Sequence, residues 1–403
     1  MAEISNIEWC DATVNFWWGC TKVSPGCANC YADSLSRRVG KDIWGKDKPR
    51  EDHRVTATKL AMKLNEIAKK GWFCECYDEE GKVFFRGATH NLQNNTSKEF
   101  VAAQKARWPD GKAPESFAAI EMRPRVFSAS MSDWLDPEVP IEWLADMLDV
   151  IRQTPHLDWL LLTKRPELWR ERIMAAMAYI EGHENTESGW RTVELSDPET
   201  RLGYWLNEWF DFPPSNVWIG TTVEDQKQAD ARIPELLKIP AGIRFLSCEP
   251  MVGPVLLPAA SLPAAPKNPA DLDKCRAIYN RLKTTEFDPS LPSHLRLKPM
   301  LSWVICGGES GRGARPMHPN WARALRDQCL QSGVPFFFKQ WGEYRPAKDG
   351  ETNGMENHVY VDDDLAGAMF RVGKRAAGRT LDGAEHSEFP INPIESDEEV
   401  TGE

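Results

Sequence analysis

Six short stretches of this chain share one form, a continuous hydrophobic run that breaks abruptly into polar residues or glycine. They are VFSASMSD from Val126, WLLLTKRPE from Trp159, VWIGTTVED from Val217, RFLSCEPM from Arg244, WVICGGESG from Trp303 and PFFFKQWGE from Pro335. A weaker seventh, ISNIEWCDAT, lies near the start. Continuous apolarity, in place of strict alternation, predicts strands covered on both faces, the pattern of a parallel sheet with helices outside it. The intervening segments IEWLADMLDVIRQ, DQKQADARIPELLK and WARALRDQCLQSG fit helices. Repeated βα alternation predicts an α/β chain folded as a partial or complete (β/α) barrel.

A sheet of βα units gathers its site at the C-terminal strand ends, so the polar endings are informative as a set. The first supplies Ser128, Ser130 and Asp133; the next Thr163, Lys164 and Arg165; then come Thr221, Thr222 and Glu224. Glu249, Glu309, Lys339 and Gln340 complete this candidate rim. Each alone has a plain alternative as a cap, a surface charge or a helix-opening residue. Glu249 and Lys339 are the expected catalytic contacts, because both follow buried strands; a structural ion pair is the competing reading.

Three segments interrupt the alternation, near 41–122, 180–215 and 258–300, and read as helical and irregular insertions on a barrel spanning residues 1–345. Residues 346–403 follow as a C-terminal extension ending in the acidic tail ESDEEVTGE, for which a flexible terminus is expected. WFCECYDEEGKVFFRG reads as a hairpin that puts Cys74 and Cys76 on one face, where a metal site would need two further ligands.

Composition narrows the picture. At 403 residues with 41% hydrophobic content the chain can bury a sizeable core. No apolar run approaches the roughly 20 residues of a membrane span, and MAEISNIEWC lacks the basic and apolar regions of a leader, so a cytoplasmic protein is expected. A net charge of −11 argues against nonspecific coating of nucleic acid, which relies on Lys and Arg displacing counterions. The 17 Trp residues, with Trp17 and Trp18 beside the cysteine cluster, are expected mainly to bury area. RPELWRER and GRGARPMHPNWARALR combine Arg with Trp, as a phosphate-binding cleft would, or as solvated helix faces do.

Ten cysteines are too sparse for a disulfide scaffold, but GCTKVSPGCANCYAD concentrates Cys20, Cys27 and Cys30. Three readings compete. Structural zinc needs a fourth ligand, for which Cys10 or His318 are candidates. A redox pair of Cys27 and Cys30 leaves Cys20 unexplained. An iron–sulfur cluster on three thiolates leaves one metal corner open for a ligand, where closed electron carriers have four Cys.

The trio after the first strand, followed by CANCYADSLSRR, resembles the cluster loop of radical S-adenosylmethionine enzymes, although six residues separate Cys20 from Cys27, wider than usual there, and Asn29 stands where an aromatic residue is common. The chain more closely resembles a phage and prophage family of unassigned function, known for a three-cysteine motif and similar to those enzymes. WWGCTKVSPGCANCYA, SMSDW, LLLTKRPE, WIGTTVEDQ, RFLSCEPM, CGGESGRGARPM, LRDQC, PFFFKQWGE and GRTLDG carry that resemblance. It implies a 4Fe-4S cluster on Cys20, Cys27 and Cys30, S-adenosylmethionine on the open iron, an electron donor such as a flavodoxin-type protein, and a radical that abstracts hydrogen from a substrate. A nucleic-acid base or nucleotide is the preferred substrate class; a zinc-stabilised non-catalytic binding or regulatory protein is the alternative. Gly307, Gly308 and Glu309 are similar to the Gly-Gly-Glu motif that contacts the methionyl amine, but follow a late strand. A tight turn and an anion loop with Arg312 and Arg315 remain open for them. Ser128, Ser130 and Asp133, after the second strand, are the other candidates for holding the cosubstrate.

Overall fold

Seven strands lie in one parallel sheet in chain order: β1 (Ala12–Val14), β2 (Arg125–Ser128), β3 (Asp158–Thr163), β4 (Val217–Thr222), β5 (Ile243–Cys248), β6 (Trp303–Gly307) and β7 (Phe336–Gln340). The computed structural model describes residues 5, 7–78, 83–90, 96–109, 118–183, 202–262, 300–348, 351, 358–361 and 367–390. The sheet curls into a half-barrel with β1 and β7 as its edges. Its helices are α1 (Tyr31–Arg38), α2 (Arg54–Lys69), α3 (Ile141–Gln153), α4 (Trp169–His183), α5 (Leu202–Trp209), α6 (Gln226–Lys238) and α7 (Pro319–Ser332). The partial barrel read from the apolar runs is present, and the weak seventh stretch overlaps its first edge strand only at Ala12 and Thr13.

Two cores explain the continuous apolar runs. Val126, Leu161, Ile219, Leu246 and Val304 pack outward with helix residues such as Leu148, Ile233 and Leu325. Their neighbours Phe127, Leu160, Trp218, Phe245, Trp303 and Phe337 fill the inside of the curl together with Trp9. Both parities of β2 to β7 are therefore represented in the core, which removes the alternation seen in half-exposed sheets. Helix ends follow local chemistry: Asp225 caps α6 by accepting from Gln228 N at 2.9 Å, and Gly333, with φ of 69°, ends α7.

Inward positions shrink toward the C-terminal ends. Along β6 they run Trp303, Ile305, Gly307; along β4, Trp218, Gly220, Thr222; from β5, Phe245 and Ser247 lead to Glu249. Bulky side chains plug the N-terminal half of the curl, and small or polar ones leave its other end open.

Residues 386–389, from the expected C-terminal extension, help to close the plugged end. Phe338 N donates to His386 O at 2.9 Å along the β7 edge, which an open sheet must otherwise protect. Phe389 packs on Trp303 with ring centroids 5.1 Å apart, and Trp303 Nε1 donates to Glu388 O at 2.8 Å. The hairpin is present as Phe73–Tyr77 paired with Val83–Ala88, and Cys74 and Cys76 are packed with Phe100. Residues 184–201 and 263–299, half of one expected insertion and most of another, lie outside the described residues, as do Cys275 and the acidic tail. Among the described residues no helix is long and apolar enough to cross a membrane.

At the plugged end Asp11 joins β1, β2 and the hairpin. It accepts from Arg125 N at 2.8 Å and from Arg86 Nε at 2.8 Å and Nη2 at 3.0 Å. Burial opposes its ionisation, but the Arg125 and Arg86 guanidinium groups prevail and lower its pKa to about 2. A depressed carboxylate stabilises the fold fully above its unfolded pKa, and that contribution is lost as pH falls through the folded value. Asp11→Asn is therefore expected to cost about 2 kcal/mol near neutral pH and to flatten the loss of stability between roughly pH 4 and pH 2. Urea unfolding across that range measures both; an unchanged acid slope would show that Asp11 does not carry it.

Candidate functional site

The open end of the curl holds a cavity of about 460 Å³. Cys20, Cys27 and Cys30 are among its lining residues, and Trp9, Phe127 and Leu162 provide apolar lining from the inner core. Inward residues at the strand ends, Lys164, Thr222, Ser247, Glu249 and Lys339, share the cavity. The expected rim and the cysteine loop thus meet in one place, within the size range of ligand sites.

The loop from Gly19 to Cys30 has little regular structure, only a 3-10 turn at Pro25–Cys27. Buried carboxylates paired with arginines fasten it at four points. Asp133 Oδ2 accepts from Arg165 Nη1 at 2.8 Å, and Arg165 also donates to Thr21 O at 2.7 Å and to Cys20 Sγ at 3.7 Å. Asp136 pairs with Arg50 at 2.9 Å, whose Nη2 reaches Thr21 Oγ1 at 3.0 Å. Glu224 binds Arg232 Nη1 at 2.8 Å and accepts from Gly26 N at 3.1 Å. Glu309 accepts from Arg315 Nη2 at 2.7 Å and from Asn29 Nδ2 at 3.0 Å, while Arg315 also donates to Pro25 O at 3.1 Å.

These bonds redistribute the roles expected from sequence. Asp133 lines the cavity, but its oxygens are taken by Arg165, Lys164 N, Leu135 N and Thr163 Oγ1. Glu309 likewise borders the cavity with its carboxylate occupied; burial opposes its ionisation, yet Arg315 and Asn29 hold its pKa down. Both are positioning residues in this arrangement. Ser130 lines the cavity and exchanges hydrogen bonds with Asn15, while its carbonyl accepts from Tyr31 OH at 2.5 Å. Ser128 is fully buried and does not line the cavity; alternation from inward Phe127 turns it toward the outer core with Val126. Its expected contact with a cosubstrate is corrected accordingly. Gly308 borders the cavity, and a Cβ there would lie 2.0 Å from Trp341 O. Gly307 lies beneath Glu249, where a Cβ would come within 2.7 Å of Oε1.

That gap over β6 lets β5 and β7 touch. Glu249 Oε1 pairs with Lys339 Nζ at 2.9 Å, and Trp9 Nε1 donates to Glu249 Oε2 at 3.3 Å. Burial pulls the Lys339 pKa down, but the Glu249 carboxylate outweighs it and the net shift is upward. Sequence patterning had no means of naming Trp9, which precedes β1, or Asn29, whose role depends on a partner far along the chain. Ala129, at φ 65°, adopts the left-handed region that a Cβ disfavours, and turns the chain from β2 into the loop bearing Asp133.

The thiols differ electrostatically. Burial, then the Asp133 charge, pushes Cys20 up to about 12 despite Arg165. Burial also raises Cys30. Cys27 shifts down: burial opposes this, but the Lys164 ammonium and hydrogen bonds from Val23 and Ser24 prevail. Only at Cys27 do the surroundings favour the thiolate that a metal takes as ligand; burial disfavours it at Cys20 and Cys30. Cys10 and His318, the suggested fourth zinc ligands, do not line the cavity: Cys10 Sγ donates to Ser5 Oγ at 3.2 Å, and His318 caps α7. Among the described residues no three Cys, His, Asp or Glu side chains converge to hold a single metal ion.

Of the two Arg/Trp segments only Arg165 lines the cavity. Trp169 is buried against Trp209 and Phe210, Arg172 donates to Val139 O at 2.8 Å, and Arg315 is paired with Glu309. Trp17 is likewise buried.

If the pairs hold the loop, Arg165→Met should release its first cysteine. Alkylation of Cys20, followed by mass spectrometry in the metal-free protein, should accelerate by about tenfold or more, with a stability loss of about 3 kcal/mol for the stranded Asp133. An unchanged alkylation rate would show that Arg165 does not restrain the loop.

No curated protein and no solved structure matches the chain. One family model does, over residues 4–390, a span that includes the cysteine loop, every strand of the sheet and the closing C-terminal segment. The chain belongs to the family described as "Protein of unknown function (DUF5131)".

Proposed function

We propose that this protein is an iron–sulfur enzyme of the radical S-adenosylmethionine type. The observation that carries the reading is the placement of Cys20, Cys27 and Cys30 on one cavity at the open end of a parallel half-barrel. The donor set suits a 4Fe-4S cluster: three thiols are spread along a cavity wall, Lys164 and Arg165 lie beside them, and a fourth cysteine ligand is missing from the lining. When bound, such a cluster supplies an electron that cleaves S-adenosylmethionine to methionine and a 5′-deoxyadenosyl radical able to abstract hydrogen from a substrate.

The chain's own residues would hold and shield that chemistry. Cys20, Cys27 and Cys30 bind the cluster, with Lys164 and Arg165 offsetting thiolate charge. The four carboxylate–arginine pairs keep the thiols in position before the cluster arrives, which reduces the ordering cost of binding. Trp9, Phe127 and Leu162 exclude water from the inner side. Glu249 and Lys339 present a paired carboxylate and ammonium to the substrate, and the pairing keeps Lys339 protonated. A nucleobase or nucleotide remains the preferred substrate class; its support is the cavity's apolar lining beside polar strand ends, since Arg165, the one residue of the Arg/Trp segments on the cavity, is paired with Asp133. An electron donor such as a flavodoxin-type protein would supply the reductant.

Anaerobically purified protein should contain about four irons with matching sulfide per chain. Its reduced paramagnetic resonance signal should shift on addition of S-adenosylmethionine. Serine substitution of Cys20, Cys27 or Cys30 should sharply lower iron content without unfolding the chain. One zinc per chain without sulfide, or a reduced signal insensitive to S-adenosylmethionine, would contradict the assignment.

A further inference from the structure

Three inward side chains form one row across neighbouring strands at their C-terminal ends. Lys164 follows β3, Thr222 ends β4, and Ser247, the register partner of Thr222, lies near the end of β5; all three line the cavity. Lys164 Nζ donates to Thr222 Oγ1 at 3.3 Å and has no ion-pair partner among the described residues, so two of its three N–H groups are unused. The Thr222 hydroxyl accepts that bond and keeps its own hydrogen to donate. Ser247 is only 2% exposed and its hydroxyl has no hydrogen-bond partner among the described residues, but unlike the sealed hydroxyl of Ser128 it opens on the cavity. The other charged side chains that line the cavity each have an ion-pair partner. Lys164 is the exception.

We propose that Lys164, Thr222 and Ser247 bind a phosphate group of the substrate, which makes that substrate a nucleotide and not a free base. An ammonium without a counter-charge, with two protons unused, favours an anion beside it. Adjacent strands lie about 4.8 Å apart, so a group seated over Thr222 is within reach of the ammonium on one side and the Ser247 hydroxyl on the other. A phosphate ester offers three acceptor oxygens that diverge toward these donors, whereas the two oxygens of a carboxylate lie in one plane. The Lys164 charge also acts on Cys27. A metal on that thiolate would take up its negative charge and leave the ammonium to the ligand. Trp9, Phe127 and Leu162 give the attached base an apolar wall. The assignment deepens the proposed function and rests on it for the substrate class, but the donor row itself needs no metal.

The test is calorimetric titration of the full chain with inorganic phosphate and with acetate at constant ionic strength, with iron measured in the same samples. The parent should bind one phosphate saturably, at least about tenfold more tightly than acetate. Lys164→Met should weaken phosphate binding by about tenfold or more, and Thr222→Val and Ser247→Ala by roughly fivefold each, with circular dichroism confirming that every variant is folded. A bare charge effect would respond to Lys164→Met and ignore both hydroxyls; that result, equal binding of acetate, or no saturable binding would overturn the subsite. In the second arm each of the four ribonucleoside 5′-monophosphates is compared with its nucleoside, and at least one should displace phosphate and outbind its nucleoside in a Lys164-dependent way. Displacement by methionine and by no monophosphate would put a carboxylate there and contradict the assignment. A cluster that responds to S-adenosylmethionine in a chain that binds no phosphate would overturn the subsite alone. Lys164-dependent phosphate binding in protein that takes up no cluster after anaerobic reconstitution would uphold the subsite while contradicting the iron–sulfur reading.

Discussion

Four buried carboxylates paired with arginines at the C-terminal strand ends hold the loop that carries Cys20, Cys27 and Cys30, and the arrangement of the cavity depends on them. Asp133 with Arg165, Asp136 with Arg50, Glu224 with Arg232 and Glu309 with Arg315 each touch the loop directly or through their arginine. A buried pair adds little net stability compared with apolar packing of the same volume, because both charges lose their hydration. What these pairs provide is placement. The loop's only regular element is a 3-10 turn, so nothing in its own backbone fixes three thiols on one wall.

The sheet creates the space that the pairs then line. Inward residues taper from Trp303 to Gly307 along β6 and from Phe245 to Glu249 through and beyond β5, so one half of the curl is solid and the other open. Gly307 adds a second consequence, since without a side chain between them Glu249 and Lys339 meet across β6. Packing and chemistry are thus coupled on the same strands. The family match, which runs to residue 390, includes Phe389, whose ring closes the plugged end against Trp303.

Much of the fold was legible because continuous hydrophobic runs report strands buried on both faces, and Asp225 and Gly333 mark helix ends as their chemistry predicts. Part of the rim was legible for the same reason: Glu249 follows such a strand, Lys339 lies near the end of another, and they meet in the cavity as the ion pair that was the competing reading. Ser128 was misplaced because a residue at a strand end points inward or outward according to parity, and a single step reverses it. Glu309 and Asp133 were recognised as site residues, but their hydrogen-bond partners lie on other segments and sequence spacing does not reveal them. Trp9 carried no local signal; only the curl of the sheet brings its ring to Glu249.

The central claim is that the fastened loop presents all three thiols to one multinuclear centre. Anomalous diffraction at the iron edge from anaerobically grown crystals tests it most directly. The account predicts one compact multi-iron peak bonded to Cys20, Cys27 and Cys30 and facing Lys164. A single-ion peak, or iron bound without one of these three cysteines, would contradict it.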